Sequence, residues 1–564
     1  MCGFIITNIE NNLNLTKKIL NHRGPDNTGT YRDENITIVF NRLAIIDLNS
    51  RSNQPFIKND FILTYNGEIY NYLEIKKKLK KKGYQFKTSS DTEVLINSYI
   101  EWGKDCLQYF EGMFAFCIFN RKKKTIFAAR DKYGIKPLFI YRADNKFILT
   151  SEKKAIFELG VNKRINKSQV ANYIAHGVYQ HNKETFYQNI ESVEPGSFIT
   201  IKNNKVDYYK WAEIKISNYS KISIQDAQSE FKRLFNKSIK LCLRSDKKVS
   251  LALSGGIDSA AIAFTIDKIK KDALINNVVH WTCNDENDES KYAKDVSGEL
   301  NKELFISIFK KEDFFSYISK AFKAVEEPFG GLNNMSAMKM YEKLNLKKSR
   351  VILDGNGADE ILGGYKHHID SYNNNQLNYS IQPVQGLNID YQADILKKDF
   401  RSMINKFKIK KKFDDPLKDS MYNDLMGTKL RRSLYQNDHI TMANSLEMRF
   451  PFLNNELVNF CYSLPNKHLV KKGLGKLILR KSFKNSFFMQ SKRPIQTPQT
   501  LWMKKFVVKN LINKLNNDEK IKDYKIFNIK KLVTKLENWR QNDMNNSVFP
   551  WQILMIYTML KNNF

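Results

Sequence analysis

The chain has little of what staples or anchors a protein. Its six cysteines (Cys2, Cys106, Cys117, Cys242, Cys283 and Cys461) include no C-x-x-C pair, so neither a disulfide framework nor a zinc site is expected. No apolar run approaches the roughly 18 residues that a membrane-spanning helix needs. Met1-Cys2-Gly3 leads into only a short apolar stretch, Phe4-Ile5-Ile6, before the sequence turns Asn- and Lys-rich. The expectation is a cytoplasmic chain without a secretory leader. Acidic residues are also scarce, 59 Asp and Glu against 92 Lys and Arg, for a formal charge of +33. Such an excess can signal phosphate-backbone binding. Here the basic runs, Lys76-Lys77-Lys78 with Lys80-Lys81-Lys82 and Lys408 with Lys410-Lys411-Lys412, lie on polar, helix-compatible stretches. They read as solvated faces, and no nucleic-acid or membrane partner is expected.

What is present is enough for several cores: 564 residues, 42% hydrophobic and 12% aromatic, which exceeds a single domain. Up to about Ile201, short apolar runs (Ile36 to Phe40, Phe61 to Tyr65, Phe114 to Phe119, Phe127 to Ala129, Phe147 to Thr150) alternate with Gly, Asn and Asp turns. That pattern is strand-rich α+β. Periodicity fades between 202 and 223, where a linker fits, and from Ile224 onward helical patterns alternate with strands as in an α/β fold. The expected domains are 2–201 and 224–564. The last sixty or so residues look helical and carry no readable role.

Two segments of the second part repeat one design. Val249-Ser250-Leu251-Ala252-Leu253 runs into Ser254-Gly255-Gly256-Ile257-Asp258-Ser259, and Val351-Ile352-Leu353 runs into Asp354-Gly355-Asn356-Gly357-Ala358-Asp359-Glu360. If both runs are parallel strands, their turns share the carboxyl edge where open α/β sheets bind ligands. The first turn offers backbone N–H groups and a helix N-terminus to an anion. It is not a Walker loop, since no Gly-Lys-Ser/Thr follows. Asp258 and Asp359 facing a phosphate chain would need cations between them, and Mg²⁺ takes a few carboxylates plus phosphate oxygens.

At the other end, Cys2 becomes residue one if the initiator Met is removed. A free α-amine (pKa about 7.7 to 8.0) beside a thiol (about 8.5) can serve as the base that forms the thiolate. Downstream stand His22-Arg23-Gly24-Pro25-Asp26, Asn41-Arg42-Leu43-Ala44-Ile45-Ile46-Asp47-Leu48, Gln54-Pro55, Asn66-Gly67-Glu68-Ile69-Tyr70-Asn71, Ser90-Asp91-Thr92-Glu93 and Arg130-Asp131-Lys132-Tyr133-Gly134-Ile135-Lys136-Pro137-Leu138. Taken alone, Asn66-Gly67 favours a hairpin turn and Arg42 a surface ion pair. In that order the motifs resemble the class II glutamine amidotransferase domain, an α+β N-terminal-nucleophile hydrolase sandwich.

The second part resembles the ATP-pyrophosphatase-type α/β domain of asparagine synthetases, in its Ser254–Ser259 loop, in Met442-Ala443-Asn444-Ser445-Leu446-Glu447-Met448-Arg449-Phe450-Pro451-Phe452-Leu453, and in Gly475-Lys476-Leu477-Ile478-Leu479-Arg480. The resemblance implies roles. Cys2 would be the nucleophile; Arg42 would pair with the glutamine carboxylate; Glu68 and Asp91 would hold its ammonium; Asn66 and Gly67 would form the oxyanion hole. ATP would lie along Ala252, Leu253, Ser254, Gly255, Gly256, Asp258, Ser259, Thr282, Asp354 and Gly355, with Mg²⁺ on Asp258 and Asp359 and Lys476 stabilising the acyl-adenylate. An internal channel would carry ammonia to an aspartate acceptor, and two chains would assemble. Three positions depart from the family pattern: Asp354 replaces Ser, Asn356 replaces Glu or Asp, and Asn454 replaces Asp. Asn356 is therefore a candidate specificity residue, and another carboxylate, such as a sugar acid of surface-polysaccharide synthesis, is the alternative acceptor. A tRNA-modifying enzyme and a non-catalytic scaffold fit less well, the first for want of paired cysteines, the second because Cys2, Asp258 and Asp359 are all present. His367-His368 reads as surface or supporting side chains, since neighbours on a helix do not share a face.

Overall fold

A computed structural model describes residues 2–269, 275–285, 288–346, 349–375, 393–405, 411–471, 473–483, 486–489, 497–542 and 546–562. Two six-stranded antiparallel sheets form the first part. One runs, edge to edge, Ile190–Ser192, Phe139–Ala143, Lys146–Thr150, Gly3–Thr7, Thr37–Arg42 and Asn27–Arg32. The other runs Lys205–Lys210, Ser197–Lys202, Thr125–Arg130, Gly112–Asn120, Phe61–Ile69 and Phe56–Lys58.

Alternation along these strands makes the sandwich. Phe4 and Ile6 of one sheet meet Ala115, Cys117 and Phe119 of the other in a core between the sheets, with Ile38, Phe40, Ile126 and Ala128. The intervening residues Phe114, Phe116, Ile118 and Phe127 face outward beneath helices Tyr72–Lys80 and Asp91–Trp102, against Ile75, Leu79, Val94 and Leu95. Ile5 and Val39 point the opposite way from Phe4 and Phe40, into a core continuous with the second part. A one-residue slip would invert every one of these side chains, each worth about 1.5 to 3 kcal/mol of burial. This is the α+β N-terminal-nucleophile sandwich. Strand Lys205–Lys210 extends it into the expected linker: it completes a hairpin with Ser197–Lys202, and Trp211 Nε1 donates to the Arg130 carbonyl at 3.1 Å. The composition of 203–210 is polar because this is a sheet edge, which hides the strand from a hydrophobicity pattern.

The second part opens with helix Ile224–Cys242 and holds a five-stranded parallel sheet in the order Leu304–Ile308, Ile275–Thr282, Val249–Ala252, Val351–Leu353, Glu447–Arg449. In chain order this is 3-2-1-4-5, the doubly wound arrangement, and its switch point lies between the first and fourth strands. Those two strands carry the Gly-rich turns anticipated above. The near-continuous apolar helix Val548–Lys561 packs back on the first part, where Gln552 Nε2 donates to the Tyr173 carbonyl at 2.5 Å. No described helix is long and apolar enough to cross a membrane.

Candidate active sites

Cys2 immediately precedes strand Gly3–Thr7 of the first sheet and is buried. Its backbone nitrogen donates to Asn66 Oδ1 at 3.1 Å, and its Sγ lies 3.9 Å from the Leu43 carbonyl oxygen. Burial raises the thiol pKa, against the pull of Arg42. Arg42, Gly67, Glu68, Asp91 and Tyr65 line the same pocket. The structure thus brings together every residue singled out for the first site.

Asn66 and Gly67 lie inside strand Phe61–Ile69, not in a hairpin. A Cβ at position 67 would collide with the Met113 carbonyl oxygen, so only glycine lets the two strands close here. The Asn66 amide nitrogen is buried with no hydrogen-bond partner among the described residues, and an orphaned donor in such a place calls for an acceptor. Arg42 is not a surface residue. Its guanidinium is buried and held by the Asn49 carbonyl at 2.9 Å, Asn53 Oδ1 at 2.8 Å and the Asp47 carbonyl at 2.5 Å. Among the described residues no carboxylate forms an ion pair with it, so its charge is left for an anion. Asp91 is fixed by Tyr65 Oη at 2.8 Å and the Ile69 N–H at 3.0 Å. Burial raises the pKa of Asp91 and, with Glu447 and Asp91 nearby, raises that of Glu68 further. A substrate cation between them would favour the ionised form of both.

The second site forms at the switch point. Loop Ser254–Gly256 leads from strand Val249–Ala252 into helix Ile257–Lys268, with Gly255 at φ +72°. A Cβ on Gly255 would press on the Glu289 carbonyl oxygen at 3.0 Å. Ser259 Oγ accepts from the Ser254 N–H at 3.1 Å and donates to the Gly256 carbonyl at 3.1 Å, closing the loop on itself. Asp258 sits in the first helical turn, and Asp359 in helix Ala358–Leu362 beyond the neighbouring strand. Lys476 Nζ lies between them, 2.6 Å from Asp258 Oδ2 and 2.8 Å from Asp359 Oδ1. Burial works against its charge, but the two carboxylates hold its pKa above the ordinary value. Two carboxylates converging on one cation fit the oxygen-donor preference of Mg²⁺. Leu253 and Thr282 close the ends of adjacent strands, the Leu253 N–H donating to the Val279 carbonyl at 2.9 Å and the Phe309 N–H to that of Thr282 at 2.8 Å.

The departures have local explanations. Asn454 caps helix Asn455–Ser463, its side chain accepting from the Leu457 N–H at 3.1 Å, a task Asn and Asp perform alike. The Asn356 amide donates to Asp354 Oδ1, and its oxygen accepts from Ser433 Oγ at 3.0 Å. Of the two readings of His367-His368, the surface one fails for His368. His368 is fully buried, and Nε2 of His367 and His368 both approach Asp424 Oδ2, at 2.6 and 2.9 Å. The two rings flank a carboxylate from another helix instead of pointing apart.

Sequence reasoning assigned no role to the buried charges between the sites. Arg23 donates to the Cys2 carbonyl at 3.0 Å, to Glu152 at 2.7 Å and to Asp438 at 2.8 Å, and Lys136 reaches Asp438 at 3.1 Å. Asp438 and Ser433 lie on one helix, Lys429–Met442, about 7.5 Å apart along its axis. One helix therefore touches the Cys2 end and the Asn356 turn. The sequence leaves a trace of this cluster in Lys136, a charged residue among the apolar neighbours of Ile135-Lys136-Pro137-Leu138.

A nucleophile sandwich whose pocket sets a thiol beside a guanidinium and two carboxyls, joined to a doubly wound sheet with a Gly-rich loop at its switch point, defines a two-domain glutamine amidotransferase. Residues 1–212 match the profile of the glutamine amidotransferase domain and residues 230–561 that of asparagine synthase. The chain belongs to the asparagine synthase family. A Methanocaldococcus jannaschii protein assigned as glutamine-hydrolysing asparagine synthetase 2 is 32% identical over 435 residues, 72% of this chain and 82% of its own. Glutamine-hydrolysing asparagine synthetase 1 of Bacillus subtilis is 27% identical over 626 residues, covering 98% of this chain and 96% of its own. Among solved structures, glutamine phosphoribosylpyrophosphate amidotransferase of B. subtilis aligns at 17% identity with a TM-score of 0.31, covering 55% of this chain and 81% of that one.

Proposed function

We propose that the chain converts aspartate, glutamine, ATP and water to asparagine, glutamate, AMP and pyrophosphate. The observation that carries the reading is the company of Cys2: a pocket it shares with Glu68, Asp91 and a buried Arg42 that has no counter-ion among the described residues, beside the orphaned amide nitrogen of Asn66, whose oxygen accepts from the Cys2 nitrogen. Glutamine fits with its carboxylate on Arg42 and its ammonium on Glu68 and Asp91. The Cys2 thiolate attacks the side-chain amide, its own α-amine taking the proton once Met1 is removed. Asn66 Nδ2 and the Gly67 N–H receive the oxyanion. Collapse releases ammonia, and water frees glutamate.

In the second domain the Ser254–Ser259 loop cradles the phosphates, with Ala252, Leu253, Thr282, Asp354 and Gly355 around the nucleotide. Asp258 and Asp359 would hold Mg²⁺, which would supply counter-charge to the phosphates. Lys476, released from the two carboxylates, meets the charge that builds on the α-phosphate as the acyl-adenylate forms and collapses. Ammonia crosses the domain boundary and displaces AMP. Residues 2–212 form the glutaminase domain, and those from Ile224 the synthetase.

The test is to supply glutamine, ATP, Mg²⁺ and aspartate, and to follow AMP, pyrophosphate and asparagine by mass spectrometry. Cys2→Ala should abolish glutamine use and keep synthesis from ammonium. Absence of AMP and pyrophosphate with every carboxylate tried refutes the scheme; AMP with a sugar acid but not aspartate refutes the acceptor alone.

A further inference from the structure

Glu68 is the one pocket carboxyl whose counter-charge comes from the other domain. Its Oε1 lies 3.7 Å from Nη2 of Arg449, on strand Glu447–Arg449 of the parallel sheet. Arg449 is fully buried and otherwise engaged: Nε binds Glu447 Oε1 at 2.5 Å, and Nη1 donates to the carbonyls of Cys242 at 2.8 Å and Arg244 at 2.6 Å. Nη2 has no hydrogen-bond partner among the described residues, and neither has Glu68 Oε2. The guanidinium thus turns one arm across the domain boundary, into the wall of the glutamine pocket. Its ring neighbour is Tyr70, 5.5 Å away, two residues along the chain from Glu68.

Counting charge shows why that arm matters. Glu68, Asp91 and Glu447 influence one another at close range, and three buried anions with no cation would take up protons instead of staying ionised. Arg449 supplies one positive charge from the synthetase side. The ammonium of an amino acid would supply the next, while its carboxylate is matched by Arg42.

We propose that Arg449 is a positioning residue for glutamine: its Nη2, 3.7 Å from Glu68 Oε1, backs the Glu68 carboxylate from the synthetase side and aims it at the substrate ammonium, so that the glutamine site is complete only when the synthetase sheet is docked against it. The proposal rests on the glutaminase reading of the Cys2 pocket. Arg449 does not touch the scissile amide, so its loss should weaken glutamine binding more than the chemical step.

The experiment measures glutamate release by the full chain for wild type, Arg449→Met, Glu68→Gln and the double variant. Arg449→Met should raise KM for glutamine about tenfold or more while kcat falls less than about threefold, the pattern of lost ground-state binding. In the Glu68→Gln background the same change should alter KM less than about twofold. Arg449→Lys, which keeps the charge, should recover part of the affinity and serves as the second probe if Arg449→Met does not fold. An equal rise of KM in both Glu68 backgrounds, or an effect confined to kcat, overturns the pairing. Absence of glutamate release by the wild type overturns the pocket reading itself.

Discussion

Replacing Asp438 with Asn tests whether the domain boundary is held by a balanced buried charge cluster. Arg23 and Lys136 face Asp438 and Glu152, and all four side chains are at most 1% exposed. The substitution keeps shape and removes one negative charge. One amide oxygen can still accept a single hydrogen bond, but two cations then share one carboxylate that also serves His22 and Lys154. Breaking a buried pair by removing one partner costs about 3 to 5 kcal/mol; the retained hydrogen bond puts Asp438→Asn near the lower end, about 3 kcal/mol. The assay is urea unfolding followed by tryptophan fluorescence, with Lys136→Met and Lys136→Met/Asp438→Asn alongside. The double variant removes a neutral pair and should recover about 1 kcal/mol or more of the summed single losses. The pH dependence has a fixed sign. Burial tends to raise the Asp438 pKa, but Arg23 and Lys136 hold it below the ordinary value. The stability it contributes is then fully present above about pH 4 and is lost as pH falls through the lower folded value. Wild type and Asp438→Asn should converge in acid. A loss under about 1 kcal/mol at neutral pH, or strict additivity in the double variant, would refute the argument.

Three further outcomes follow from the sites. Asn66→Ala removes the orphaned amide donor and should lower kcat for glutamine hydrolysis by about 10² to 10³, with ammonium-dependent synthesis, measured as asparagine formed, left within about twofold. Lys476→Met takes the resident cation from between Asp258 and Asp359, so Mg²⁺ binding without nucleotide should tighten in calorimetry while AMP formation slows; unchanged Mg²⁺ affinity would show that the lysine does not compete for that position. Gly67→Ala drives a methyl into the Met113 carbonyl and should cost about 1 to 3 kcal/mol in denaturant unfolding.

Local chemistry makes much of this protein legible in its sequence. Strands such as Gly112–Asn120 declare themselves by alternation, since successive side chains of a pleated strand face opposite ways. The loop Ser254–Ser259 and the motif around Asn66 carry their glycines because backbone groups must come close there. Those requirements act over a few residues and leave a local trace. What only folding decided is which distant charges meet. Arg449 reaches Glu68 and Asp438 reaches Arg23 across several hundred residues, and no period or turn records such a pairing. Neighbouring histidines came to flank one aspartate because a second helix brought Asp424 between them. The polar strand Lys205–Lys210 exists because a hydrogen-bonding edge was available to it. The last helix found its partner on the first domain. Each depends on how preformed elements dock, and docking is settled by the whole buried surface at once.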